Sequence, residues 1–238
     1  MPLTVVTGGS RGIGAAICER LARDGHDIVV GYRTNSDAAD AVVERVGAAG
    51  SHGIAVRVET SDAASVDTFF GEADAFGTVT GFVNNAAVSG PVGNLVDADV
   101  DELRAAVDVN YLGYLFCARR AIRSLVGGGA IVNISSAAAT MGSPGTYVHY
   151  AGAKAAIDAL TVGLAKELAG SGIRVNAVAP GIIWSEFHQD PERPSKLAST
   201  IPFGRAGRPP EIAGAVAWLL SDDASYTSGT IIRVAGGM

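Results

Sequence analysis

Tyr150 and Lys154 stand four residues apart in the run Tyr150-Ala151-Gly152-Ala153-Lys154, which continues as AAIDALTVGLAKEL, a strongly helical pattern. Residues at i and i+4 share one face of a helix, so a phenol and an ammonium group would lie side by side. A free tyrosine, with a pKa of about 10, is a poor acid or base at neutral pH. A neighbouring cation favours the phenolate and draws that pKa towards the range where proton transfer is useful. The chain has only three lysines against fifteen arginines, so a lysine in this place stands out.

A second chemical signal lies at the start of the chain. Thr7-Gly8-Gly9-Ser10-Arg11-Gly12-Ile13-Gly14 joins an apolar strand to a helical stretch. Glycines at such a junction let the backbone turn sharply and approach a pyrophosphate, which the amides and dipole of the helix N-terminus favour. The spacing is TGxxxGxG. The next strand ends Val30-Gly31-Tyr32-Arg33-Thr34-Asn35, without the carboxylate that would hold an NAD ribose. Arg33 and Arg11 suit a 2′-phosphate instead, and this charge logic favours NADP over NAD.

These groups need a frame, and the chain supplies short apolar strands alternating with helical stretches. Strands are expected at Leu3–Thr7, Asp27–Gly31, Gly53–Val58, Thr80–Asn84, Ala130–Ile134, Arg174–Val178 and Thr230–Val234. Helices are expected near 12–23, 37–49, 62–75, 99–126, 149–169 and 209–220. The strands are nearly all apolar rather than alternating, as parallel strands covered on both faces are. The expectation is an α/β fold: one Rossmann-type domain over residues 1–238, a doubly wound parallel sheet of about seven strands. Residues 183–207 are polar and proline-punctuated, and longer than an ordinary connection. Such segments often serve as lids over binding sites.

Composition narrows the function. A net charge of −6 and the lack of any basic run argue against nucleic acid or an anionic membrane as the main partner. The pair Arg119-Arg120 with Arg123 reads as a solvated helix face. Cys18 and Cys117 fall in separate helical patterns with no metal or redox spacing, so buried free thiols and no metal are expected. No apolar run approaches the length of a membrane span, and the chain opens almost directly on a strand, so a cytoplasmic protein is expected.

Taken in order, these segments resemble the short-chain dehydrogenase/reductase family along essentially the whole chain. TGGSRGIG is similar to its cofactor turn and Tyr150/Lys154 to its YxxxK pair. Asn84-Asn85-Ala86-Ala87 resembles its NNAG, Val107-Asp108-Val109-Asn110 its helix asparagine, Ile134-Ser135-Ser136 its active-site serine, and Pro180-Gly181 its proline-glycine. The resemblance implies that Tyr150 is the general acid in reduction or the base in oxidation. It implies that Lys154 tunes Tyr150 and holds the nicotinamide ribose. Ser136, with Ser135 competing for the role, would bind the substrate oxygen, and Asn110 would hold a water that links Lys154 to solvent. Gly8, Ser10, Arg11, Gly12, Ile13, Gly14 and Arg33 would surround the phosphates. Glu59 and Thr60 would lie against the adenine and Ser185 would meet the nicotinamide amide, while Asn85, Ala86, Pro180, Gly181 and Ile183 would also bind the cofactor. His149 and His188 read as structural or substrate-lining.

Some positions depart from the family pattern. Ala87 replaces a glycine, Glu59-Thr60 an Asp-Val pair, Ser185 a threonine and Ala235 an aspartate. None removes a catalytic group. The implied activity is NADP-dependent interconversion of a ketone or aldehyde and an alcohol, and the implied assembly is a homotetramer. A 3-oxoacyl-carrier-protein reductase is an alternative, disfavoured because Val126–Gly129 and Gly170–Gly172 offer no basic residue to an acidic carrier. A non-catalytic NADP-binding protein is a further one, disfavoured because the full catalytic set is present.

Overall fold

A computed structural model describes residues 1–238. Seven parallel strands lie in the order β3-β2-β1-β4-β5-β6-β7. They are β1 (Leu3–Val6), β2 (Asp27–Tyr32), β3 (Gly53–Arg57), β4 (Val79–Asn84), β5 (Gly129–Ile134), β6 (Ile173–Pro180) and β7 (Ile231–Val234). Nine α-helices cover them: α1 (Gly12–Arg23), α2 (Ser36–Ala48), α3 (Ala63–Phe76), α4 (Val100–Val107), α5 (Gly113–Ser124), α6 (Ala138–Met141), α7 (Val148–Glu167), α8 (Arg193–Lys196) and α9 (Pro209–Leu220). The doubly wound expectation holds, with strand and helix ends displaced by a few residues at most.

Alternation along the strands explains the layers. Val6, Ile28, Val30, Val83, Val132 and Val178 face one side, in a core with α1, α2 and α9. Their neighbours Val5, Val29, Phe82, Ile131 and Val175 face the other, in a core with α3, α5 and α7. Side chains of successive strand residues point to opposite faces, so continuous apolar strands serve both cores. Side chains cap three of the helix starts: the Asn35 Oδ1 accepts from the Ala38 amide at 2.9 Å, and Asp62 and Asp99 cap α3 and α4 in the same way. Pro209 opens α9, whose Glu211 carboxylate accepts from the Arg208 amide at 2.7 Å.

The continuous helix expected near 99–126 is broken. A π turn, Asp108–Leu112, separates α4 from α5, and the Gly113 amide donates to the Asp108 carbonyl five residues back. Such one-residue insertions inside helices often mark functional sites. Arg120 also departs from a solvated face: it bonds Asp74 at 2.6 Å and lies over the Phe70 ring at 5.6 Å, tying α5 to α3.

The 183–207 segment leaves and returns at one point. Ile183 pairs with Gly207, the Trp184 amide donates to the Gly207 carbonyl at 3.0 Å, and the Gly207 amide to Ile182 at 2.9 Å. Between those ends lies α8, so the segment is a closed excursion rather than a slack connection.

Candidate active site

β1 and β4 are neighbours in the sheet although far apart in sequence, and their connections run to opposite sides. Open α/β sheets leave a crevice at the carboxyl ends of strands at such a reversal. A cavity of about 880 Å³ lies there. Its walls contain every cofactor residue singled out in the sequence, from Gly8 through Ser185, and also Ser136, Tyr150 and Lys154.

The turn after β1 is built without room for side chains. Gly8 and Gly12 take φ of +63° and +53°, and a Cβ on Gly14 would stand 2.1 Å from the Gly8 carbonyl oxygen. Asn85, at the end of β4, locks the turn from the other side. Its Nδ2 donates to the carbonyls of Thr7 (2.9 Å) and Gly8 (3.1 Å), while its amide donates to the Thr7 hydroxyl at 3.0 Å. The first amides of α1 therefore open on the cavity. A backbone cradle that a Cβ would fill, with the exposed Arg11 beside it, fits a bound pyrophosphate. At the far end, Arg33 Nε sits 3.3 Å from the Glu59 carboxylate, which also accepts from the Ser61 hydroxyl at 2.9 Å. Glu59 thus holds Arg33 at the cavity wall, and the partly exposed pair is weak enough to rearrange around an anion.

Three side chains meet at the opposite end. The ring of Tyr150 is buried, edge-on to Tyr147 with ring centres 5.3 Å apart, and 5.4 Å from Phe187 of the 183–207 segment. Ser136 lies beside it, its oxygen accepting from the Ala138 amide at 3.1 Å. Ser135 spends its hydroxyl elsewhere, donating to Asp158 of α7 at 2.5 Å. Of the two serines, Ser136 is the one whose hydroxyl lies beside the Tyr150 phenol.

Lys154 shares the buried face of α7 with Tyr150, as the spacing predicts. Its ammonium, however, does not turn to the phenol. Nζ donates to the Tyr114 hydroxyl at 2.8 Å and to the Ile134 carbonyl at 2.7 Å, and stands 5.6 Å from the centre of the Tyr150 ring. Burial draws Lys154 down to about 7, partly opposed by Asp158. Burial also raises Tyr150 well above its ordinary value, with Tyr147 adding to the rise and Ser136 opposing it. The depressed phenol expected from the pair is absent here because desolvation outweighs a cation aimed elsewhere.

Asn110 is the one proposed site residue that does not reach the cavity. It is fully buried in the π turn, its Oδ1 accepting from the Val88 amide at 3.0 Å and its Nδ2 donating to the Val88 carbonyl at 2.8 Å. Its side chain thereby clasps the strand-end loop at Val88. Both histidines are structural anchors at the rim. His149 Nε2 lies 3.0 Å from the Ser89 carbonyl, and His188 Nε2 lies 2.9 Å from the Ile183 carbonyl. The sequence reading missed Tyr114, Tyr147 and Phe187. The first two lie close to known motifs, but only tertiary packing brings them to the site.

A reversing parallel sheet, a glycine cradle and a tyrosine–lysine pair around one cavity define an α/β oxidoreductase dependent on a nicotinamide cofactor. The comparisons with known proteins agree. A family model described as enoyl-(acyl carrier protein) reductase matches residues 8–238. The uncharacterized oxidoreductase YgfF of Escherichia coli is 40% identical, with all of both chains covered. The 3-oxoacyl-[acyl-carrier-protein] reductase FabG of Staphylococcus aureus is 37% identical, covering 98% of this chain and 96% of its own. A short chain dehydrogenase from Burkholderia cenocepacia, solved in complex with NADP, superposes with a TM-score of 0.94 at 34% identity, covering 99% of this chain and 97% of its own. The chain belongs to the short-chain dehydrogenase/reductase family and is an NAD(P)-dependent oxidoreductase.

Proposed function

We propose that the protein is an NADP-dependent carbonyl reductase, working on a ketone or aldehyde in the forward direction and on the alcohol in reverse. The observation that carries this reading is the convergence of Ser136, Tyr150 and Lys154 at one end of the cavity that begins at the glycine cradle. When bound, the cofactor supplies or accepts the hydride. Ser136 donates a hydrogen bond to the substrate oxygen and orients it beside the Tyr150 hydroxyl. Tyr150 gives that oxygen its proton as charge develops there, and takes it back in the alcohol direction. A charged Lys154 favours the phenolate left behind. Pro180, Gly181, Ile183 and Ser185 bound the nicotinamide half, and Asn110 contributes by fixing Val88 at its edge. Residues 183–207 form the lid of a single domain, with Phe187 pressing on Tyr150 and excluding water.

NADP is favoured over NAD because Arg33 and Arg11 flank the adenosine end and no free carboxylate stands there to meet a 2′-hydroxyl. Glu59 is taken by Arg33 and Ser61. The similarity to the Staphylococcus reductase makes 3-oxoacyl-carrier-protein reduction the second reading. A tetramer built on α4, α5, α7 and β7, in the cytoplasm, completes the proposal, and sedimentation velocity reads the assembly directly. The test is NADPH oxidation with aldehydes, diketones, acetoacetyl thioesters and an acyl carrier substrate. Turnover of the small carbonyls supports the reading. Turnover of the carrier-bound substrate alone shifts it to the second, and no turnover with no cofactor binding refutes both.

A further inference from the structure

The family pattern supplies four residues for proton transfer, and Tyr114 is not among them. It is the largest of the fully buried side chains, and it lies against the lysine that the reaction needs. Its hydroxyl donates to the Ile134 carbonyl at 2.9 Å and accepts from Lys154 Nζ at 2.8 Å, and Nζ itself reaches the same carbonyl at 2.7 Å. The ammonium also stands 4.3 Å from the centre of the Tyr114 ring. Two of the three ammonium hydrogens are thus held from the sheet side, and the third is left for the cavity that Lys154 lines.

Packing alone does not require this hydroxyl. A phenylalanine would fill the same volume and leave Ile134 to Lys154. What the hydroxyl adds is a second acceptor for a cation that burial otherwise penalises, and an oxygen acceptor favours the charged form. The π turn is what brings it there. The extra residue at Asp108–Leu112 re-registers the helix, setting Gly113 so close to Thr60 that a Cβ would meet the Thr60 carbonyl at 3.1 Å, and turning Tyr114 inward beneath β5. The Tyr114 carbonyl is held in turn by Asn84 Nδ2 at 3.1 Å, so the residue is fixed at both ends.

We propose that Tyr114 is a positioning residue that holds the Lys154 ammonium between α5 and β5 and keeps it charged for the reaction. The other groups facing that ammonium are Tyr150 and Asp158 of α7 and the Ile134 carbonyl of β5. Asp158 is bonded to Ser135 and feels Arg233 of β7. Asp158 favours the charged lysine, but Arg233 and the Ser135 bond temper its field, which leaves the Tyr114 hydroxyl and the Ile134 carbonyl as the neutral acceptors in direct contact. The proposal rests on the carbonyl-reductase reading for its catalytic meaning, though not for its structural content.

The test uses the full chain and the scarcity of lysine. With three lysines, protein carrying ¹³C at lysine Cε gives three signals whose pH titrations separate Lys154 from Lys166 and Lys196. In Tyr114→Phe, the Lys154 midpoint falls by roughly one pH unit or more, about the strength of one charge-assisted hydrogen bond. The midpoints of the other two stay put. In turnover, the high-pH limb of kcat moves down by a similar amount. The rate at pH 8 drops about tenfold, while KM for the carbonyl substrate stays within about twofold, a pattern that loss of packing alone would not produce. Tyr114→Met, read in the same way, serves if the phenylalanine variant fails to fold. An unchanged Lys154 midpoint overturns the proposal. A shifted midpoint in a protein that turns over no carbonyl leaves the positioning role standing and refutes the reductase reading instead.

Discussion

Substituting alanine for Gly14 adds one methyl group, yet the surrounding backbone cannot accept it. The new Cβ would stand 2.1 Å from the Gly8 carbonyl oxygen, 2.8 Å from Asn85 Nδ2 and 2.9 Å from the Gly8 carbonyl carbon. Carbon atoms pack at about 3.5 Å or more, so α1 or the turn must give by about 1 Å. Overpacking of a filled site costs about 1–3 kcal/mol. The shift also strains the two bonds from Asn85 Nδ2 to Thr7 and Gly8, each contributing about 1 kcal/mol. Together these give a loss of about 3–5 kcal/mol. In a domain of this size that corresponds to a fall of roughly 6–20 °C in Tm. Gly71 is the matched control, since it lies exposed within α3 and a Cβ there meets nothing within 4 Å. Gly71→Ala should gain about 0.5–1 kcal/mol, because alanine favours the helix. Thermal unfolding of both variants, with NADPH titration of Gly14→Ala, reads the difference. A Gly14→Ala protein that melts within about 2 °C of the parent and binds NADPH normally would refute the tight-turn reasoning.

Further outcomes follow from charge. Lys154 is drawn from 10.5 to about 7 in the folded state, so from about pH 7 upwards the unfolded chain binds a proton that the native one has shed. Stability of the cofactor-free protein should therefore rise between about pH 7 and 9, by about 1–2 kcal/mol. The buried thiols Cys18 and Cys117 lie above their ordinary 9.0 and reverse the trend at higher pH. Lys154→Met removes the rise; denaturant melts at pH 7, 8 and 9 that keep the same slope would count against a buried, discharging lysine. Arg33→Ala should weaken NADPH binding by about 1.5–3 kcal/mol, the worth of hydrogen bonds to a charged group, with little effect on NADH. Equal losses for the two cofactors in fluorescence titrations would remove Arg33 from the 2′-phosphate site.

The sheet was legible because parallel strands covered on both faces are mostly apolar without alternation, and Leu3–Val6, Asp27–Tyr32 and Ile173–Pro180 read that way from the chain. The cradle was legible too, since Gly8, Gly12 and Gly14 have few other reasons to crowd one strand–helix junction. The π turn was not. Helical periodicity runs on through Asp108–Leu112, and the contact made from that turn, Asn110 clasping Val88, spans 22 residues of sequence. For the same reason the orientation of Lys154 escaped notice. Spacing places two residues on one helix face, but a long flexible side chain chooses its partner from whatever the fold presents, here Tyr114 and Ile134. Arg120 looked solvated for want of its acidic partners Asp67 and Asp74, which belong to another helix.

The central claim is that Tyr150 transfers the proton, and Tyr150→Phe tests it with the loss of one oxygen. The ring and its contacts with Tyr147 and Phe187 remain, so NADPH affinity should stay within about threefold while carbonyl reduction falls by at least about a hundredfold at every pH. A variant that binds NADPH and reduces the same substrate at the parent rate would contradict the account.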